Sequence, residues 1–431
     1  MKPKSVRIGI IGCGNVGSSL INLIAERCQT IVRRSGLSLE VASVAVRDLD
    51  LERNVPIDSG LFTNNPEEIV TDPSIEVVVE VMGGVEPAFD LVTRALQAGK
   101  SVVTANKELL AAHGAELYAL AEEVGVDLLF EAAVAGAIPI MRPLRESLVG
   151  ESITRVTGIV NGTTNFILTQ MSENKMSYSN ALVEAQRLGY AEADPTADVE
   201  GFDAAAKLAI IASLAFGVKI TSADVYREGI TSITANDIEF AGRLGYCVKL
   251  LAIGEQELID ETPQVGVRVY PTMVPLDHPL AAVRDSFNAV FVEGDAAGQI
   301  MFYGRGAGGR PTSSAVLGDL IDAASNLHKD HGASIGDLES ISVTSIDSLV
   351  VPYYLEVEVH DQPGALAQVA AIFGEHKVSI RSMEQEGLGD EARLIFITHA
   401  AQESNLQATL LDLEGLGVVQ KVGSMLRVLG D

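Results

Sequence analysis

The chain has little cysteine, little positive charge and no long apolar run, and each scarcity excludes a class of protein. Cys13, Cys28 and Cys247 are the only cysteines, odd in number and without CxxC spacing. Neither a disulfide framework nor a zinc site is expected from them. Lys and Arg total 31 against 58 Asp and Glu, which gives a net charge of −27. Neutralising phosphates takes Lys and Arg, and no basic run occurs, so nucleic acid is not an expected partner. The longest apolar stretches stop well short of ~18 residues, so no membrane span is expected. Lysines near the N-terminus lead straight into a strand, without the apolar h-region of a signal peptide. A reducing, cytoplasmic compartment is the expectation. What the chain has in plenty is hydrophobic side chains, 47% of 431 residues, and 40 glycines. Many of those glycines sit where short strands should turn into helices, which argues for α/β architecture in two to four domains.

From Val6 to about Ser147, short apolar runs alternate with helical periods. Val6–Ile11, Val41–Val46, Val77–Val81, Ser101–Thr104 and Asp127–Phe130 read as buried strands, with amphipathic stretches such as Ser18–Val32 and Phe89–Ala98 between several of them. That order predicts a doubly wound parallel sheet with right-handed crossovers. From about Ile153 to Val292 the pattern is less regular. Helices are expected at Thr164–Glu173, Tyr178–Leu188, Asp203–Phe216 and Ala235–Leu244, and strands at Thr154–Val160, Lys249–Glu255, Gln264–Tyr270 and Asn288–Glu293. A second α/β domain with a mixed sheet fits. Gly304–Pro311 reads as a loop, Thr312–Lys329 as a helix, and Asp330–Ser348 as a linker rich in Gly, Ser and Asp. The last ~80 residues follow the order βαββαβ of a separate ferredoxin-like module.

Chemistry concentrates at the strand ends. Gly12-Cys13-Gly14-Asn15-Val16-Gly17 is a GxGxxG directly after a strand and opening a helix. Gly12 allows the turn, Gly14 lets the backbone approach a pyrophosphate, and Gly17 permits close packing; the helix start at Asn15 and Val16 offers N–H groups. A glycine turn without a ligand is the plainer alternative. The second strand ends in Arg47-Asp48. An acid there suits the ribose of NAD and an arginine the 2′-phosphate of NADP, so both cofactors stay open. Gly83, in Glu80–Gly84, and Thr104, in Thr104-Ala105-Asn106-Lys107, lie at the same sheet edge. Lys107 there has better claims to function than a surface lysine.

The densest constellation runs from Gly189 through Glu192, Asp194-Pro195, Asp198 and Gly201 to Asp203 and Lys207. Asp203 and Lys207 stand i,i+4 on one helix face. For an arbitrary pair this would be a surface ion pair of little value. Here Leu208–Phe216 continues almost wholly apolar, so the helix is buried with Lys207 near its inner end. A lysine held by carboxylates can donate a proton to a developing alkoxide.

The run from Ala185 to Lys207 resembles the signature of homoserine dehydrogenases. Gly12–Gly17, Glu80–Gly84, Thr104–Lys107, Glu131–Pro139, Asn161–Asn165 and Gly304–Thr312 are similar to that family's other segments, in the same order. The stretch around Asp361-Gln362-Pro363-Gly364 resembles an ACT module. The resemblance implies NAD(P)(H)-dependent interconversion of L-aspartate 4-semialdehyde and L-homoserine. It makes Lys207 the proton donor and places Lys107 beside nicotinamide and substrate. Glu192 would take the substrate's amino group, and Asp198 and Asp203 would orient substrate and lysines. Gly306, in a loop closing over the cofactor, joins the nucleotide site. Glu131, Val134, Gly136 and Ile138 would supply oxygens to a structural monovalent cation, sodium. An ACT module would sense L-threonine, and a homodimer or homotetramer is implied.

The corresponding domains are 1–147 with a return segment 304–330 for the dinucleotide, and 148–303 for substrate, catalysis and dimerisation. A hinge-like linker, 331–348, precedes the ACT module 349–431, so a chain ending near Lys329 is expected to keep catalysis and lose threonine sensitivity. Two rivals remain. A thioacyl-forming semialdehyde dehydrogenase needs a nucleophilic cysteine with a general base. A non-catalytic sensor of dinucleotide and amino acid would need no proton donor.

Overall fold

The computed structural model describes residues 3–259, 262–329, 332, 334–387, 389 and 391–430. It resolves into two compact units. One comprises residues 1–161, 203–225 and 287–341; the other comprises 162–202, 226–286 and 342–431. Among the described residues no helix is long and apolar enough to cross a membrane.

The first unit is built on a six-stranded parallel sheet. Its strands lie in the order Phe62–Thr63, Leu37–Ala45, Lys4–Ile11, Val77–Glu80, Ser101–Thr104, Leu128–Leu129. Val77–Glu80 and Ser101–Thr104 are buried along their whole length, as strands covered on both faces must be. The helices Asn15–Ser35 and Gly309–Leu327 pack a core of Ile8, Ile10, Leu20, Ile24, Val316 and Leu320. The chain starts at the sheet's centre, winds to one edge and then to the other. The strand order therefore reverses between Lys4–Ile11 and Val77–Glu80, where ligands bind in such folds. Three antiparallel strands, Ile153–Ile159, Phe287–Gly294 and Gly298–Arg305, form a further sheet in this unit. The last of them had no counterpart among the expected elements.

In the second unit the C-terminal residues form the antiparallel order Val419–Val428, Tyr353–His360, Glu391–Thr398, Ile380–Gly387. Helices Ala365–Glu375 and Glu403–Glu414 pack against them around Val357, Val369, Phe373, Phe396 and Leu406, giving βαββαβ. This module also shares a sheet with the residues before it. Thr272 and Met273, in the hairpin strand Thr262–Pro275, pair in parallel with Arg427 and Val428, so one sheet runs through both parts. The helix Ala235–Arg243 adds Asp237, which accepts the Ser424 hydroxyl at 2.8 Å, and Arg243, which pairs with Glu384 at 2.8 Å. The linker is not hinge-like where it is described; residues 330, 331 and 333 lie outside the described set. Ser334, Ile335 and Gly336 all donate to the Glu122 carboxylate, and Ser342–Val343 pairs with Gln264–Val265.

Candidate active site

At the first glycine turn, backbone crowding fixes the sequence. Gly12 has φ +105°, and a Cβ there would lie 2.7 Å from the Val81 carbonyl oxygen. A Cβ at Gly17 would lie 2.2 Å from the Gly12 oxygen, whereas one at Gly14 would meet nothing within 4 Å. The two outer glycines close the turn and the middle one leaves its outer side open, the shape a pyrophosphate needs above a helix start. Asn15 begins that helix, and the Val16 carbonyl accepts the Ser313 hydroxyl at 2.7 Å, tying in the return helix.

The same crevice is lined by Arg47, Asp48 and Arg53. Asp48 spends one carboxylate oxygen on the Asp50 N–H at 2.9 Å, closing a turn. Arg53 was not anticipated; it lies 5.7 Å from the Phe62 ring and donates to the Leu51 carbonyl. Its only sequence signal is a basic residue just past a strand end.

Glu80 is the second residue the sequence reading missed. It is fully buried and accepts from the Met82 N–H at 2.8 Å and the Thr104 hydroxyl at 2.6 Å. Burial pushes its pKa up, against the lowering effect of those donors. Thr104 in turn accepts the Asn106 N–H at 3.0 Å, and Asn106 donates to the Gly84 carbonyl at 2.6 Å while capping the helix Lys107–Val124. Gly83 and Gly84, at φ +76° and +77°, are thereby held in one conformation. Thr104 is 0% exposed, and its hydroxyl, bonded to Glu80, supports the sheet edge from behind. A lone glutamate ending an otherwise apolar strand was the available signal.

Lys107 opens its helix into a cleft also lined by Gly83, Asn106, Lys207, Gly306 and Thr312. Its ammonium pairs with Asp203, from 96 residues further along the chain. Asp203 lies in the first turn of the helix Phe202–Phe216, 6% exposed, and also accepts from Lys207 at 2.6 Å and Asn161 at 2.9 Å. Burial alone would raise its pKa, but the Lys207 and Lys107 ammoniums outweigh burial and hold the carboxyl well below the usual carboxylate range. Lys207 donates a second hydrogen bond to the Val160 carbonyl at 2.8 Å, and its side chain is 12% exposed. The structure thus joins three of the expected catalytic groups through one carboxylate. Glu192 and Asp198 belong to the other unit. There the Glu192 carbonyl accepts from Gln186 at 3.0 Å, and Asp198 lies in the short helix Thr196–Val199.

In the turn expected to bind a cation, the Glu131 carboxylate caps the next helical turn, accepting N–H groups of Ile140, Met141 and Arg142 at 2.5–2.9 Å. That leaves main-chain carbonyls as the oxygens available. Ala135 and Gly136 follow with φ +53° and +57°. A Cβ at Gly136 would lie 2.4 Å from the Gly306 oxygen, and the Ala137 N–H donates to the Arg305 carbonyl at 3.1 Å. Among the described residues no group of three or more His, Cys, Asp or Glu is placed to hold a metal.

Burial raises the pKa of the Cys13 and Cys247 thiols, opposite to what an activated nucleophile requires. In the second unit a further pocket is lined by Asp361, Gln362, Gly364, Leu366, Gln385 and Leu394, with Gly364 at φ +88° preceding a helix.

Comparison with known proteins points one way. Residues 139–321 match the homoserine dehydrogenase family, 12–131 the family of homoserine dehydrogenase NAD-binding domains, and 353–418 the ACT domain. The homoserine dehydrogenase of Mycobacterium tuberculosis is 49% identical, with 99% of this chain and 98% of that protein covered. The crystal structure of a homoserine dehydrogenase from Thiobacillus denitrificans matches with TM-score 0.92 and 39% identity, over 100% of this chain and 99% of that one. A hyperthermophilic archaeal homoserine dehydrogenase in complex with NADPH matches with TM-score 0.61 and 32% identity, over 74% of this chain and 98% of that one.

Proposed function

Because this chain belongs to the homoserine dehydrogenase family, and is an NAD(P)-dependent oxidoreductase interconverting L-aspartate 4-semialdehyde and L-homoserine, we propose a division of labour among its residues. The observation that carries it is the Lys107–Asp203–Lys207 triad. An ammonium has three N–H donors. Lys207 gives one to Asp203 and one to the Val160 carbonyl, which leaves the third for the substrate's aldehyde oxygen. The bound nicotinamide supplies the hydride. As negative charge develops on that oxygen, Lys207 donates the proton, and in the reverse direction it takes the proton from the hydroxyl. Asp203 pairs with both lysines and fixes their separation. Lys107 adds positive charge beside the reacting carbon. Glu192 takes the substrate's ammonium group, and Asp198 orients the substrate.

The turn Gly12–Gly17 takes the pyrophosphate, with Gly83 and Gly306 beside the nicotinamide half. Arg47, joined by Arg53, favours NADP(H), because a guanidinium pairs bidentately with a phosphate. Asp48, engaged in its own turn, competes weakly for a ribose. Arg47→Ala should raise the KM for NADPH about 10- to 100-fold, the loss of one charged hydrogen-bond partner, and leave the KM for NADH nearly unchanged. Steady-state kinetics with both cofactors is the check; an unchanged NADPH KM removes Arg47 from the 2′-phosphate site.

A monovalent cation such as sodium would sit on the main-chain carbonyls of Glu131, Val134, Gly136 and Ile138. The two consecutive left-handed residues, which turn successive carbonyls off the usual path, support that site. The C-terminal pocket takes L-threonine, the helix start at Gly364 offering N–H groups to its carboxylate. Threonine should inhibit the full-length enzyme. Gly364→Ala, strained at φ +88°, should raise the half-inhibitory concentration about 5- to 30-fold, the effect of 1–2 kcal/mol of backbone strain on the helix start that meets the carboxylate. Absence of threonine inhibition in the unsubstituted enzyme ends this reading. A homo-oligomer and a cytoplasmic location complete the proposal.

A further inference from the structure

Arg427 is an arginine with 1% of its surface exposed, on the last strand of the chain. Its guanidinium is shared between two carboxylates from different parts of the sequence. It donates to both oxygens of Glu403 at 2.8 and 2.9 Å and lies 2.8 Å from Glu228. The Tyr270 ring lies against it at 4.4 Å, and the Tyr226 hydroxyl donates to Glu228 at 2.5 Å. A buried charge cluster of this kind holds its members strongly in place, because removing one partner strands the others.

Glu228 belongs to a stretch that is fixed on its other side too. Tyr226 and Arg227 pair with Arg268 and Val269, and the Glu228 N–H donates to the Val269 carbonyl at 2.7 Å. The next two residues meet the helix that carries Asp198. The Ile230 N–H donates to the Val199 carbonyl at 2.8 Å, and a Cβ at Gly229 would lie 2.4 Å from the same oxygen. Gly201, at φ +81°, closes back on this stretch; a Cβ there would lie 3.4 Å from the Glu228 carbonyl oxygen. The Thr231 hydroxyl bonds Glu200 at 3.0 Å. Residues 199–201 therefore rest on 228–231, backbone against backbone at Val199 and Gly229–Ile230, with the Glu200 side chain adding a bond to Thr231.

We propose that Glu228, held by Arg427 of the C-terminal module, is a positioning residue for the substrate segment: it sets where Asp198 stands. The proposal rests on the reading that Asp198 orients the substrate. It makes the βαββαβ module a structural part of the substrate site, whatever effector it binds. Any rearrangement of the strand carrying Arg427 reaches Asp198 through one ion pair and one turn of chain.

Glu228→Ala leaves Arg427 paired with Glu403, so the buried cation keeps a partner. This variant should raise the KM for homoserine about tenfold, within the range for residues that couple sites without touching ligand. Its KM for NADP should not change. Asp198→Asn should raise the homoserine KM as well, and the double variant should be no worse than Asp198→Asn alone, since both act at one point. An unchanged homoserine KM in Glu228→Ala beside a raised one in Asp198→Asn overturns the proposal while leaving the substrate reading intact. So do effects that multiply in the double variant. An unchanged KM in Asp198→Asn overturns the substrate reading itself, and the proposal with it. A general loss of folding would raise both KM values or neither, and is told apart by the NADP measurement.

Discussion

Lys207→Ala should lower turnover by roughly 10²–10⁴-fold, the usual contribution of a general acid–base group, while dinucleotide affinity barely changes. The geometry makes the prediction specific. Lys207 is half-buried, its ammonium is aimed by Asp203 and the Val160 carbonyl, and one donor remains for substrate. Removing the side chain leaves Asp203 with Lys107 and Asn161, so the carboxylate is still paired and the fold should hold. Turnover near the unsubstituted rate would remove Lys207 from the mechanism. It would also reopen the sensor alternative, in which the triad is only an ion-pair network.

Ending the chain at Lys329 should abolish homoserine-dependent activity, contrary to the sequence-based expectation that catalysis survives. The cut removes Arg427, leaving Glu228 without its cation, and it strips two strand partners from Thr262–Pro275. Those losses open an edge of the second unit's sheet to water, with unpaired backbone groups along Thr262–Pro275. The expected result is a protein that melts at lower temperature, with the loss beginning in the second unit. Full activity in the shortened chain would show that the shared sheet is incidental.

The contrast between those two predictions marks what the sequence could disclose. The parallel strands were legible because a strand covered on both faces must be a short apolar run, and Val77–Glu80 and Ser101–Thr104 are that. The Asp203–Lys207 pair was legible because helical spacing is local. Its third member was placed at the right strand end, but that Lys107 meets Asp203 depends on contacts between residues 96 apart, which no local pattern encodes. Glu80 and Thr104 exchange a hydrogen bond for the same reason unseen: each looks like an ordinary strand-end residue until the strands are laid side by side. The C-terminal strands were placed in order, but their junction with Thr262–Pro275 involves two residue pairs in parallel register and leaves no mark in either strand's composition. A Gly- and Ser-rich connection reads as a hinge from composition. Glu122, which collects three donors from it, lies more than two hundred residues away.

The close packing of Gly136 on Gly306 has a consequence for how this enzyme can change over generations. A Cβ at either position would collide with backbone or with Asn288, so both sites resist substitution by any larger residue. Variation in cofactor choice is left to the opposite end of the crevice, where Arg47 and Asp48 are solvent-facing and free of such crowding. A lineage could exchange one phosphorylated form of the cofactor for the other by replacing side chains there, without disturbing the reacting end.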